Sequence, residues 1–111
     1  TVIINLKFSD GSIGVINYFA NGGKSFPKER LEVFFNNSVL QIDNFRKLTG
    51  FGVKNFNSMN LWSQDKGQKR CALAFVDAIK HNRPSPIPFE EILEVSLTAI
   101  EIEEMLGLEE V

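Results

Sequence analysis

Alternation of apolar and polar residues fills the first part of this chain, and a period of three to four fills the rest. From Thr1 to Phe8, Val2, Ile4, Leu6 and Phe8 fall on one side and Asn5 and Lys7 on the other, the signature of a half-buried strand. Asp10-Gly11 follows, and a second alternating run occupies Ile13 to Ala20. Asp-Gly between two such runs predicts a tight hairpin. The return strand has two partly apolar faces, Ile13, Val15, Asn17, Phe19 and Gly14, Ile16, Tyr18, Ala20, so cover on both sides is expected. Gly14 suits a bulge or the close approach of another backbone.

A loop, Gly22-Gly23-Lys24-Ser25-Phe26-Pro27, leads into a third strand in which Leu31, Val33 and Phe35 alternate with Arg30, Glu32 and Phe34. Asn36-Asn37 predicts a turn, because asparagine tolerates positive φ. Ser38 to Asp43 is the partner strand. Phe45 to Thr49 reads as its continuation or as a further strand, Gly50-Phe51-Gly52 as punctuation, and Val53–Asn57 and Met59–Ser63 as weaker strands.

The period changes at Gln64. A helix is predicted from there to about Asn82, with Asp65 as N-cap, Cys71, Ala72, Phe75, Val76 and Ile79 on one face, and Lys80 and His81 in the last turn. Pro84, Pro86 and Pro88 end it. A second helix is predicted from Phe89 to about Leu106, with Glu90 and Glu91 in its first turn and Gly107 as the C′ residue. Its polar stripe (Glu90, Glu94, Thr98, Glu101) is narrow, so it is expected to meet more than one partner. Strands followed by helices predict a single α+β domain over residues 1–111, an open antiparallel sheet with two helices packed on one face. The opposite face, still carrying Ile16, Tyr18, Arg30, Glu32 and Phe34, is expected to make a homodimer.

Composition removes several function classes. Twelve basic against fourteen acidic residues argue against nucleic acid as a partner. No apolar run approaches the roughly 20 residues of a membrane helix. A single cysteine suits a reducing, cytoplasmic compartment. The opening Thr1-Val2-Ile3-Ile4 carries no basic leader and reads as the start of a piece of something longer.

The chemistry of the chain is sparse. One His and one Cys, ten residues apart on the first helix, predict no metal site. Cys71 is expected to be buried, and His81 to be a helix-end cation. A Ser or Cys nucleophile would need a base, and His81 is the only histidine. Gly22-Gly23-Lys24-Ser25 lacks the first glycine of a phosphate loop and precedes a strand, and no dinucleotide fingerprint is present. The acidic residues Glu101, Glu103, Glu104, Glu109 and Glu110 read as a solvated helix end. Lys24, Lys28 and Arg30 read either as a solvated edge or as contacts for a polar or anionic ligand.

Three stretches in order carry a resemblance. The first is Phe8-Ser9-Asp10-Gly11-Ser12 with Gly14. The second is Asn21 to Phe34 followed by Asp43-Asn44-Phe45-Arg46. The third is Gln64-Asp65-Lys66-Gly67, then Phe75-Val76-Asp77-Ala78-Ile79 and Pro86 to Ile92. Together they resemble the C-terminal domain of the Gfo/Idh/MocA oxidoreductases, in particular the inositol-dehydrogenase-like half of the bi-domain members. The resemblance implies an open sheet with helices on one face that walls a substrate site and forms an oligomer interface. It also implies a preceding Rossmann domain holding NAD or NADP, and a sugar, cyclitol or related polyol as substrate. Lys24, Ser25 and Lys28 are then expected to bound the substrate pocket, with Asp65 and Lys66 at its corner. This chain has neither the family's E-K-P stretch with its catalytic lysine nor the D-x-x-x-H stretch, and Gln68 stands where the closest group has histidine. No residue here is therefore assigned a catalytic or cofactor-binding role, and the 111 residues alone are expected to be inactive. The competing reading is a standalone interaction module, without enzymatic parent, that dimerises through its sheet face.

Overall fold

The computed structural model describes residues 1–107. Six strands are followed by two helices: β1 (Val2–Lys7), β2 (Ile13–Tyr18), β3 (Arg30–Phe35), β4 (Ser38–Asp43), β5 (Lys47–Phe51), β6 (Ser58–Asn60), α1 (Gln68–Lys80) and α2 (Phe89–Met105). Every strand pairing is antiparallel, so the class is α+β. The strands form two sheets, however, where one was expected: β1-β2 and β3-β4-β5-β6. Residues 19–29 join them. That segment contains Gly22, Gly23 and Pro27, which resist or interrupt a ladder, and β2 makes no pairing with β3. The expected dimer face is divided accordingly, with Ile16 and Tyr18 in one sheet and Arg30, Glu32 and Phe34 in the other. The chain forms two compact units, residues 23–71 and residues 1–22 with 72 onward.

In the unit of residues 1–22 and 72 onward, the hairpin is built as Asp10-Gly11 predicts. Gly11 takes φ +89°, Phe8 N–H bonds Ser12 O at 2.9 Å, and Gly11 N–H bonds Phe8 O at 3.0 Å. The Asp10 carboxylate accepts the Ser12 N–H at 2.8 Å and the Ser12 hydroxyl. Val2, Ile4 and Leu6 are half-buried and Ile3, Asn5 and Lys7 exposed, the alternation of the sequence. Gly14 pairs regularly with Leu6 and makes no bulge; its neighbours are the Phe8 ring and Leu6 side chain, not another backbone. Helix α1 starts at Gln68, later than expected. The Asp65 carboxylate instead accepts the Gly67 N–H at 2.8 Å in an Asx turn, and Gly67 at φ +79° delivers the chain into the helix. Cys71 is exposed, contrary to expectation, as are Phe75, Val76 and Ile79, and among the described residues Ala78 alone is buried. The expected packing of both helices on a sheet face is not seen within this unit: neither helix packs extensively on β1-β2 or on the other helix, which leaves these apolar side chains exposed. Helix α2 ends as predicted: Gly107 takes φ +65° and its N–H bonds Glu104 O at 3.0 Å. Glu109 and Glu110 of the acidic run lie outside the described residues.

In the other unit the register sorts side chains by chemistry. Directly paired residues share a face. One face of the four-stranded sheet carries Leu31-Ile42-Leu48-Met59 and Val33-Leu40. The other carries three rows: Arg30-Asp43-Lys47-Asn60, Glu32-Gln41-Thr49-Ser58, and Phe34-Val39-Phe51. Asn36 and Asn37, at φ 43° and 58°, form the two-residue turn predicted between β3 and β4. Gly50 is not punctuation but lies inside β5, where a Cβ would stand 2.8 Å from Cδ1 of Phe56. Val53–Asn57 is accordingly a turn and not a strand. Asn55 is left-handed (φ 62°), and Gly50 N–H bonds Asn57 O at 2.7 Å, which folds Phe56 over the glycine.

Candidate functional site

The most heavily bonded part of the chain is the turn between β4 and β5. Arg46 N–H bonds Asp43 O at 3.0 Å, and the two residues between them, Asn44 and Phe45, both adopt left-handed backbone (φ 49° and 50°). Asparagine accepts this readily; phenylalanine pays roughly 1–2 kcal/mol for it. The turn is held by residues distant in sequence. Asn44 N–H bonds Glu29 O at 2.7 Å, Asp65 N–H bonds Phe45 O at 3.0 Å, and Leu61 N–H bonds Arg46 O at 2.9 Å. The Gln64 amide donates at 3.0 Å to both the backbone carbonyl and the side-chain oxygen of Asn44, and more weakly, at 3.4 Å, to Glu29. Lys66 Nζ pairs with the Glu29 carboxylate and lies 5.8 Å from the centre of the Phe45 ring.

This geometry divides the five expected site residues. Asp65 and Lys66 are engaged: Asp65 caps Gly67 and stands 3.9 Å from Arg70, and the Lys66 charge is matched by Glu29. Lys24, Ser25 and Lys28 lie exposed in the 19–29 loop, where Phe26 N–H bonds Gly23 O at 3.0 Å. Among the described residues neither lysine has an ion-pair partner. Lys28 neighbours Glu29 in sequence, so the end of the loop adjoins the corner, while Lys24 and Ser25 are joined to it by no hydrogen bond.

Beside the corner is a hollow of about 400 Å³, lined by Pro27, Asp43, Asn44, Arg46, Lys47, Asn60 and Leu61. Asp43, Lys47 and Asn60 are successive members of one row of the polar sheet face. Arg46 is fixed there by its Nε–H, which donates to Leu61 O at 3.1 Å. The sequence analysis gave no site role to Arg46, Lys47, Asn44, Gln64 and Glu29, although all but Lys47 lie in the stretches of the resemblance; a further local signal was two adjacent cations directly after an Asp-Asn turn.

Asp77 holds His81 Nδ1 at 2.9 Å and also pairs with Arg83, closing the end of α1. Bonds from the Ser12 hydroxyl and N–H hold the Asp10 carboxyl below its ordinary range. No metal-holding group of His, Cys, Asp or Glu exists among the described residues, and none of their helices is long and apolar enough to cross a membrane. The Gly22-Gly23 loop runs into β3, a strand and not a helix. Compared with protein-family models, with curated proteins and with solved structures, the chain finds no match.

Proposed function

We propose that this chain is the C-terminal domain of an NAD(P)-dependent dehydrogenase acting on a sugar, cyclitol or related polyol, where it supplies a wall of the substrate site and an oligomer interface. One observation carries the reading. The second and third stretches of the resemblance, far apart in sequence, meet at one corner: Gln64 on Asn44, Asp65 on Phe45, and Lys66 on Glu29. That clamp gives the polar residues at those places a structural role. The α+β class agrees with the same reading. The dinucleotide and the catalytic lysine belong to a Rossmann domain outside these residues, and no step of hydride transfer is assigned here.

In this reading Lys24, Ser25 and Lys28 donate hydrogen bonds to substrate hydroxyls or a carboxylate, since their donors are unengaged within the described residues. Asp65 and Lys66 shape the corner that carries the loop's end. The polar face of β3–β6, with its aromatic row Phe34-Val39-Phe51, meets a second copy. The test is kinetic: in the longer protein that includes this chain, Lys24→Ala raises KM for the polyol at least severalfold. Unchanged KM and kcat across polyol substrates would remove Lys24 from the site. Absence of any NAD(P)-dependent polyol oxidation in that longer protein would favour the interaction-module reading instead.

A further inference from the structure

We propose that the hollow beside the β4–β5 turn is a binding site for a small hydroxylated oxyanion, either a hydroxy-carboxylate or a phosphate ester. Three observations on its lining carry this. Two cations, Arg46 and Lys47, face one carboxylate, Asp43, and neither forms an ion pair within the described residues, although Lys47 is the direct cross-strand partner of Asp43. The local charge is therefore positive in a chain whose net charge is −2. The Arg46 guanidinium is oriented in advance. Nε–H is fixed on Leu61 O while Leu61 N–H returns to Arg46 O, and the remaining guanidinium donors are left for a ligand.

The amides specify more than charge. Gln64 occupies Oδ1 of Asn44, so the Asn44 NH₂ is the group left over, and Asn60 adds another amide at the end of the same sheet row. Asp43 offers the one carboxylate acceptor, which a hydroxyl donor satisfies and a bare inorganic anion does not. Cations for the anionic end, amides and a carboxylate for hydroxyls, and a turn clamped by the residue 61–66 segment make a largely preformed site. The inference does not rest on the dehydrogenase reading, because binding here needs only the chain itself.

The test uses the full 111-residue chain, ¹⁵N-labelled, titrated with glycerate, with glycerol 3-phosphate and with glycerol, three ligands that share a three-carbon body. The expected result is saturable shifts for one or both anions at the Asn44 and Asn60 side-chain amides and at Arg46 Nε, with none for glycerol. Glycerate alone identifies a carboxylate site and glycerol 3-phosphate alone a phosphate site. Lys47→Gln weakens binding about fivefold, the Boltzmann factor of one unit-charge contact in water, and Asp43→Asn strengthens it by a similar factor. Arg70→Gln, a cation outside the hollow, leaves the affinity unchanged. Equal losses in Lys47→Gln and Arg70→Gln would overturn the site, reducing it to general charge attraction. So would the absence of saturation by either anion, or equal binding of glycerol. Should Lys47→Gln fail to fold, Asp43→Asn alone decides: an affinity that does not rise refutes the proposal.

Discussion

Replacing Gln64 by alanine tests whether the β4–β5 turn is clamped from outside or stable by itself. The side chain donates at 3.0 Å to two atoms of Asn44 and at 3.4 Å to Glu29. A neutral hydrogen bond contributes about 1 kcal/mol net, and the longest of the three is too weak to count. Gln64 itself is exposed, which lowers the value of each bond, while Asn44 is half-buried, which raises the cost of leaving its carbonyl without a partner. The expected loss is about 1–2 kcal/mol. A typical urea dependence of 1–2 kcal/mol per molar turns this into a midpoint lower by about 1 M. Because Phe45 is left-handed at a cost similar to this loss, the turn should also relax. Amide shifts of Asn44, Phe45 and Arg46 should move in Gln64→Ala while those of the Asn36-Asn37 turn stay. Equilibrium urea unfolding followed by NMR reads both quantities. A midpoint within 0.2 M of the parent, with the Phe45 amide unmoved, would refute the clamp and with it the reason given for the polar residues at 64–66.

Gly50→Ala should destabilise by about 1–3 kcal/mol, because a Cβ would meet Cδ1 of Phe56 at 2.8 Å and its carbonyl oxygen at 3.1 Å. Strand propensity alone gives the opposite sign, a gain of about 0.5–1 kcal/mol, so thermal unfolding of this variant separates the two. The lowered carboxyl of Asp10 implies hairpin stability that is complete above the ordinary carboxylate range and lost as pH falls through the folded-state value. An NMR titration should show Asp10 protonating at lower pH than in Ser12→Ala, and identical midpoints would dismiss the Ser12 bonds as the cause. Phe34→Lys, on a side chain 73% exposed, should shift sedimentation from dimer to monomer, and a wild-type chain that is monomeric at high concentration removes the sheet-face dimer. An interface of that kind involves about 800 Å² per partner.

The legible parts of the fold were those settled by neighbours in sequence. Asp10-Gly11 and Asn36-Asn37 made their turns because each residue's own backbone preference suffices, and β4 was read to the residue for the same reason. What escaped depends on distant contacts. Phe45 is no turn former, and its conformation is held by Glu29 and by residues 61–66. Gly50 reads as a breaker until Phe56 is known to lie against it. Asp65 reads as an N-cap, and its carboxylate does take a helix-side N–H, but at Gly67, so α1 starts later. The single sheet failed at residues 19–29, where no local signal distinguishes a turn between neighbours from a break between sheets.

The same distinction bears on the candidate site. Sequence shows which residues have donors; only the fold shows which donors are already used. Lys66 and Asp65 were expected at the corner of the same pocket that Lys24 and Lys28 bound, yet one is matched by Glu29 and the other is bound to Gly67. Arg46 and Lys47 looked like part of a turn and a strand, yet both line a hollow and neither has an ion-pair partner among the described residues. An ion pair as exposed as Glu29–Lys66 is worth at most about 1 kcal/mol, so its value lies less in stability than in occupancy. It removes a lysine from competition for any anion that reaches the corner, leaving Arg46 and Lys47, which line the hollow, and Lys24 and Lys28 of the loop whose Pro27 lines it too. Glu29, which lies in the second stretch of the resemblance but was given no site role, thus fixes which lysine at this corner is already matched.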